Sequence, residues 1–541
     1  MIKIDLLDCT LRDGAYINGS EFGTQTIGGV IKRLQEANVE IIECGWLKDS
    51  PHKEGNTYYH VPTDLERYLL APKRKDTVYV SMIDYNRYNI DSLPVNNGKN
   101  IDAIRVVFPR GKVNEASPLV QPIRDKGYKV FFQAANTLSY TNDELKQLAS
   151  AVNALSPVGL SIVDTFGAMW PVDLIRIVDV LDRELDENIK LGFHSHNNQQ
   201  LSFALSILFI QEMVRRNHRN VIIDSSLCGM GRGAGNTCTE LMTNYLNKTY
   251  HTDYDLNIIM DTIDVYMNQF FQKYSWGYSI PYYIAGMYET HVNNVAYLQD
   301  THAVKNKDMK IIFSSMDAET RRKYDYDNLE QVYSTYVNRK VDDQSAIDTL
   351  SKRMINRSIV TILPGKSSVE YQEKIKEYIK NSDSITIGVN TILPEYTYDY
   401  LLFTSEKKYE YAKENNGVAF NKAIKILTSN IKAEVDENEI ILNYNDLQKY
   451  GWKYYDNSML MLLRLLKRVD PSCIAIAGFD GYKGEYTKEY APTAIKGNLS
   501  QVETAQLQAD IESMLEDYVS SFDHKFDVKF LTPSPFEKFF C

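Results

Sequence analysis

The sequence predicts an α/β protein with an N-terminal (β/α)8 TIM barrel, a helical extension and then a second, Rossmann-like α/β domain. Three observations carry this reading. Eight short apolar, β-branched runs alternate with amphipathic stretches over about the first 240 residues, as strands buried on both faces should. Polar motifs fall at the ends of the first, seventh and eighth runs. After a polar, helical stretch, a second alternation starts near residue 356.

The first eight runs are IKIDLLD (2–8), VEIIECG (39–45), TVYVSMI (77–83), IDAIRVVF (101–108), YKVFFQA (128–134), VGLSIVD (158–164), IKLGFHS (189–195) and NVIIDSS (220–226). Between them lie helical patterns such as TIGGVIKRLQEAN and NDELKQLASAVNAL, with apolar residues every three or four positions. A doubly wound open sheet is the alternative for the same pattern. The barrel is assigned to residues 1–285. Residues 286–355 are read as a helical extension and linker, with DNLEQVYSTYVNRK as one helix; LNIIMDTIDVYMNQFFQKY forms another just before it. In residues 356–541 the runs are SIVTILPG, SITIGVN, YDYLLFTS, KAIKILTS, EIILNY and CIAIAGFDG, separated in part by SVEYQEKIKEYIKN and NSMLMLLRLLKRV.

At 541 residues the chain is too long for one core. Its 60 Lys and Arg against 71 Asp and Glu leave a net charge of −11 with no basic block, which argues against nucleic acid. The six cysteines, at 9, 44, 228, 238, 473 and 541, form no C-x-x-C pair, so neither a structural zinc site nor a disulfide framework is expected. No stretch approaches the roughly 20 apolar residues of a membrane span, and a cytoplasmic, reduced setting is the expectation.

Barrel chemistry sits at the carboxyl ends of the strands. CTLRDG places Arg12 and Asp13 after strand one, and HSH places His194 and His196 at the end of strand seven, pointing the same way. Only strand eight separates these two strands once the barrel closes. One carboxylate and two neutral imidazoles then suit Mn²⁺, Co²⁺, Zn²⁺ or Mg²⁺, and Asn236, ending GMGRGAGN, offers a neutral oxygen.

These motifs resemble the metal-dependent lyases and synthases that share a D-x-T-L-R-D-G signature on a TIM barrel, among them 4-hydroxy-2-oxovalerate aldolase, hydroxymethylglutaryl-CoA lyase, isopropylmalate synthase and homocitrate synthase. Asp8 to Gly14 matches the signature, His194-Ser195-His196 its H-x-H, and SLCGMGRGAGN (226–236) and VDTFGAM (163–169) resemble the oxovalerate aldolase branch over roughly residues 1–300. The resemblance implies a divalent metal held by Asp13, His194, His196 and Asn236. It implies that Arg12 stabilises an enolate oxygen and that Thr165 holds the substrate carboxylate. Tyr288, in AGMY, would reach the active site. The implied reaction makes or breaks a carbon–carbon bond next to a pyruvate-type 2-keto acid enolate, with an aldehyde partner. A homo-oligomer, by default a dimer, is the implied assembly.

One departure stands out. The aldolases carry a histidine three residues after the metal aspartate, acting as base on the 4-hydroxyl, and this chain has Tyr16. A phenol is a poor base near neutrality, its ordinary pKa being about 10. Tyr16 either acts with a lowered pKa or orients substrate while His52, His60 or Glu43 takes the proton; Glu43 is also a candidate substrate contact. Arg232 is read as a contact for a carboxylate or phosphate or, equally, as a solvated surface arginine. A Claisen-type acyl-CoA synthase is the rival enzyme, although its usual D-G-E-Q is D-G-A-Y here; a non-catalytic barrel serving the second domain is another.

LPGKSS (363–368) is not a Walker-A loop, because the first glycine of that motif falls on Val360. ILPGKSS, IGVN and IAGFDG resemble sialyltransferase-type glycosyltransferases and a related pterin diphosphokinase group. The resemblance implies a nucleotide or nucleotide-sugar site at Gly365, Ser367, Asn390 and Asp480, suited to building an unusual surface sugar. The alternative is ordinary strand-end turns.

Overall fold

The computed structural model describes residues 2–540 except 303, 305, 338–342, 432–438, 450, 453, 455–456, 483–489, 493, 495–500 and 522–526. Cys541 and the last three residues of DNLEQVYSTYVNRK lie outside the described residues. The chain divides into two compact units, Met1–Ala296 with Phe313–Tyr324, and Tyr297–Ile312 with Asp325–Cys541. The division falls within the stretch read as extension and linker.

In the first unit β1 (Ile4–Asp8), β2 (Ile41–Leu47), β3 (Val78–Asp84), β4 (Ala103–Phe108), β5 (Lys129–Ala134), β6 (Gly159–Asp164), β7 (Lys190–Ser195) and β8 (Val221–Ser225) pair in sequence, all parallel. β1 pairs with β8, Ile4 opposite Val221, and with β2, Leu7 opposite Ile41, so the sheet closes into the expected eight-stranded barrel rather than staying open. A two-residue strand, Tyr58–Tyr59, adds to the far side of β2.

The lumen is layered, because alternate residues of each strand face inward. Its lower layer is apolar: Leu7, Ile41, Val80, Ala103, Phe131 and Ile222 form one cluster with Cys9. Two residues further along four of these strands the inward positions become Glu43, Arg105, Gln133 and Asp224, all buried. The runs that read as near-continuously apolar therefore carry a charged layer directly beneath the barrel mouth.

Helices cover the barrel. Thr24–Glu36 turns Ile27, Val30, Ile31 and Leu34 inward. Asn142–Leu155 starts at a capping box, in which Thr141 and Glu144 each satisfy the other's backbone N–H. The expected continuous helix from Leu256 is broken: Leu256–Thr262 and Asn268–Lys273 flank a π-turn at Ile263–Met267, an inserted residue that period counting does not detect.

The second unit holds β9 (Ser358–Ile362), β10 (Ile385–Val389), β11 (Tyr400–Phe403), β12 (Ile424–Thr428), β13 (Glu439–Leu442), β14 (Cys473–Ala477) and β15 (Asp527–Phe530). They form an open parallel sheet in the order β13-β12-β11-β10-β9-β14-β15. β15 is an addition to the six expected runs; it is a short edge strand whose residues alternate between exposed and half-buried, which leaves little apolar signal. Helix Ser458–Val469, by contrast, carries Leu460, Leu462, Leu463 and Leu466 into the core. Among the described residues no helix is long and apolar enough to cross a membrane.

Arg219 is the most heavily bonded buried cation of the barrel wall. Its guanidinium donates to Asp182 Oδ1 and to the carbonyls of Asp182, Leu185, Asp186 and Ile189, closing the carboxyl end of helix Pro171–Glu184. Arg219→Met strands those carbonyls in the interior and leaves Asp182 only Arg216 and His218 as partners. The expected loss is about 3–5 kcal/mol in the barrel's urea unfolding transition, against less than about 0.5 kcal/mol for Arg183→Met on the same helix surface.

Candidate metal centre and barrel mouth

The motif after β1 is a four-residue helical turn, Thr10–Asp13, pinned on three sides. Cys9 N–H donates to Ser225 O, Thr10 N–H to Asp8 Oδ1, and Leu227 N–H to Thr10 Oγ1. Thr239 Oγ1 donates to the other oxygen of Asp8 at 2.6 Å. Gly14 ends the turn where a Cβ would stand 2.5 Å from Thr10 O, which only glycine avoids. Arg12 and Asp13 are thereby presented to the lumen, buried.

Asp13, His194 and His196 each offer a ligand atom, and these atoms lie within 4.8 Å of one another. Asn236 joins them through a backbone bridge to His196 and through Nδ2, which donates to Asp13 Oδ2 at 2.6 Å. The set suits a divalent cation on a direct observation: His196 Nδ1 and Asn236 Oδ1 are buried polar atoms with no hydrogen-bond partner among the described residues. Gly231 leaves room on one side, since a Cβ there would lie 2.6 Å from Asp13 Oδ2.

Protonation agrees with ligation. Burial opposes charge on Asp13, but the Arg12 guanidinium, the two imidazoles and the Asn236 amide hold its carboxyl well below the usual range. Burial pushes His196 down to about 3 despite Asp13 beside it, so its ring is neutral. His194 Nδ1 lies 3.1 Å from Asp224 Oδ2; donation to that carboxylate leaves Nε2 as a lone-pair ligand.

Beneath the ligands runs a continuous ionic chain. Arg12 Nη1 donates to Asp13 Oδ1 at 2.6 Å and Nε to Glu43 Oε2 at 2.7 Å. Arg105 Nη1 lies 2.9 Å from the same Glu43 oxygen, and its Nη2 donates to Asp224 Oδ2 at 2.5 Å and to Gln133 Oε1 at 2.8 Å. Asp224 closes the chain on His194. Glu43 is accordingly not a substrate contact: it is fully buried under Arg12 and bridges two guanidiniums. Arg105 and Asp224 escaped sequence reasoning, each being one polar residue inside an apolar strand run.

At the mouth, Tyr16 is 39% exposed, edge-on to Trp46 at 6.2 Å, with the Arg232 guanidinium 3.7 Å above its ring. Crowding pushes its phenol up, and Arg232 and Arg12 only partly offset this. His291, which no motif marked, lies with Nε2 3.1 Å from Arg232 Nη1. Thr165 Oγ1 accepts the Asn136 N–H at 2.7 Å, on a loop that Asp164 fixes by accepting the Ala168 and Met169 N–H groups. Tyr288 stands 5.7 Å from the Arg321 guanidinium. His52 is committed elsewhere, through Nδ1 to Tyr58 O and Nε2 to the Tyr68 hydroxyl, and His60 Nδ1 meets Lys48 O.

In the second unit the expected phosphate contacts are already engaged. The Ser367 N–H and hydroxyl both donate to Asp480, placing a carboxylate where a phosphate was expected. Gly365 N–H donates to Gly478 O, and the Asn390 amide bonds Thr404 and Ser458. These donors are taken up by contacts within the unit itself.

The HMGL-like family profile matches residues 110–265. Relatives include 4-hydroxy-2-oxovalerate aldolases from Shewanella halifaxensis, 27% identical over 267 residues (48% of this chain, 76% of that protein), and from Geobacillus genomosp. 3, 27% identical over 271 residues (48% and 76%). Among solved structures, the N-terminal domain of a candidate aldolase from Bacteroides vulgatus aligns with 25% identity and a TM-score of 0.47, over 55% of this chain and 98% of that one. The HMG-CoA lyase of Brucella melitensis aligns with 16% identity and a TM-score of 0.40, over 50% and 99%. Each of these relatives and structures matches about half of the chain.

Asp224→Asn tests the ionic chain. It weakens the acceptor that orients His194 and leaves Arg105 without its full counter-charge. Calorimetric titration with Mn²⁺ is expected to show affinity reduced about 10–100-fold relative to the wild type.

Proposed function

We propose that the barrel is a divalent-metal-dependent carbon–carbon lyase of the aldolase type, acting on a 2-keto acid of pyruvate type and an aldehyde. The observation that carries this reading is the convergence of Asp13, His194 and His196 with a buried arginine bonded to the carboxylate among them. The aldolase relatives, each matching about half of the chain, support it.

A divalent ion held by Asp13, His194, His196 and Asn236 would supply Lewis acidity to the keto oxygen and carboxylate of the substrate. The chain's own residues do the rest. Arg12 commits Nε to Glu43 and Nη1 to Asp13, and its Nη2 has no acceptor among the described residues. That nitrogen is the donor for the keto oxygen as it gains charge on carbon–carbon cleavage. The fork is fixed before substrate arrives, which is why it stabilises the transition state more than the ground state. Tyr16, its phenol raised, stays protonated near neutrality and serves as a donor and an aromatic wall rather than as the base. Thr165 and Tyr288 are proposed as further substrate contacts.

We read the second unit as Rossmann-like, on the reversal of strand order between β9 and β14. Leu363, Gly365, Asn390, Asp480 and Tyr490 line a crevice there, where such sheets take ligands. With Ser367 bound to Asp480, hydroxyl groups suit that crevice better than phosphate.

The test is product detection. With Mn²⁺ present, 4-hydroxy-2-oxo acids should release pyruvate, read by coupled reduction to lactate. Arg12→Ala should lower kcat by about 10²–10³-fold while Mn²⁺ binding persists, and Arg12→Lys should not restore the rate, because it lacks the planar fork. Full activity in Arg12→Ala would contradict the assignment.

A further inference from the structure

The buried guanidiniums of the barrel each meet a carboxylate: Arg12 meets Asp13 and Glu43, Arg105 meets Glu43 and Asp224, and Arg219 meets Asp182. Arg232, half-buried at the mouth, forms no ion pair among the described residues. Its contacts are the face of Tyr16 at 3.7 Å and His291 Nε2 at 3.1 Å. The second contact is a poor one. The Asn293 N–H points at Nδ1 of the same imidazole at 3.2 Å, and a neutral imidazole accepts at one nitrogen only. Burial, with Arg232 and His196 nearby, pushes His291 down to about 3, so the ring is neutral and two donors compete for one lone pair. A half-buried guanidinium held this way lacks the charge-assisted acceptor that its geometry calls for.

Its position says where that acceptor would lie. Gly231 abuts the ligand cluster, and the side chain of the next residue, Arg232, reaches the ring of the partly exposed Tyr16. The loop carrying it is firmly held: Ala234 N–H donates to Asn198 Oδ1 at 2.8 Å, and a Cβ on Gly233 would meet that same oxygen at 2.6 Å. A 2-oxo acid held at the metal ligands would bring its other end to the mouth, where Arg232 and Tyr16 stand. A single guanidinium stacked on a tyrosine leaves its planar edge for one carboxylate and matches that charge.

We propose that Arg232 is a specificity-determining residue and that the barrel takes 2-oxo acids bearing a second carboxylate at the end remote from the metal ligands. This rests on the 2-keto acid reading above and narrows its substrate class.

The experiment is calorimetric binding to the full chain loaded with Mn²⁺, comparing 2-oxoglutarate with 2-oxopentanoate, which have the same number of carbons and differ by the distal carboxylate. The wild type should prefer 2-oxoglutarate by about 10–100-fold, the range of one charged hydrogen-bond pair. In Arg232→Gln the ratio should fall to near one, and Arg232→Lys should keep part of it. A wild type that binds both equally overturns this proposal and leaves the keto-acid reading standing. So does a parallel weakening of both ligands in Arg232→Gln, which would put Arg232 on the shared 2-oxo acid end. A wild type that binds neither overturns the keto-acid reading, and this proposal with it.

Discussion

The ionic chain from Asp13 through Arg12, Glu43 and Arg105 to Asp224 and His194 is the constraint on which the site depends. It occupies one layer of the lumen, joins residues of β2, β4, β7 and β8 to the turn after β1, and reaches the candidate ligands from both ends. Burying five charged groups in a barrel is unfavourable unless each is met by an opposite charge at hydrogen-bond distance. That requirement fixes the side chains more tightly than apolar packing would. Arg12 cannot turn away from the mouth without stranding Glu43, nor can His194 rotate without releasing Asp224.

The same chain accounts for the electrostatic preference of the mouth. Three carboxylates meet two guanidiniums, so the layer carries one surplus negative charge, and the imidazole of His196 beside it stays neutral. A divalent cation among Asp13, His194 and His196 would compensate that surplus. The guanidinium that holds Asp13 ionised keeps Nη2 uncommitted among the described residues, so under the proposed function one residue would serve both ligand and substrate.

The barrel was legible because parallel strands buried on both faces are near-continuously apolar, and eight such runs in a row leave few topologies. The convergence of Asp13, His194 and His196 was legible because H-x-H and R-D-G sit at the ends of strands that barrel closure brings near one another. Arg105, Asp224 and the true place of Glu43 were not legible: one polar residue in an apolar run looks the same whether it faces the lumen or a covering helix. His291 was hidden for another reason, since its partner Arg232 is 59 residues away along the chain. In the second unit, glycine turns after strands suggested a phosphate cradle, and only Asp480 folding back onto Ser367 shows that those donors are used. The short edge strand β15 has too few apolar residues to register.

The most direct measurement of the central claim is exchange of the pyruvate methyl protons in D₂O, followed by NMR with Mn²⁺-loaded protein and with Asp13→Ala. Exchange in the wild type that needs both the metal and Asp13 is the predicted result, because under the proposed function an enolate would be stabilised whether or not an aldehyde is present. Metal-loaded wild type that leaves the methyl protons in place, or Asp13→Ala that exchanges them at the wild-type rate, would contradict it.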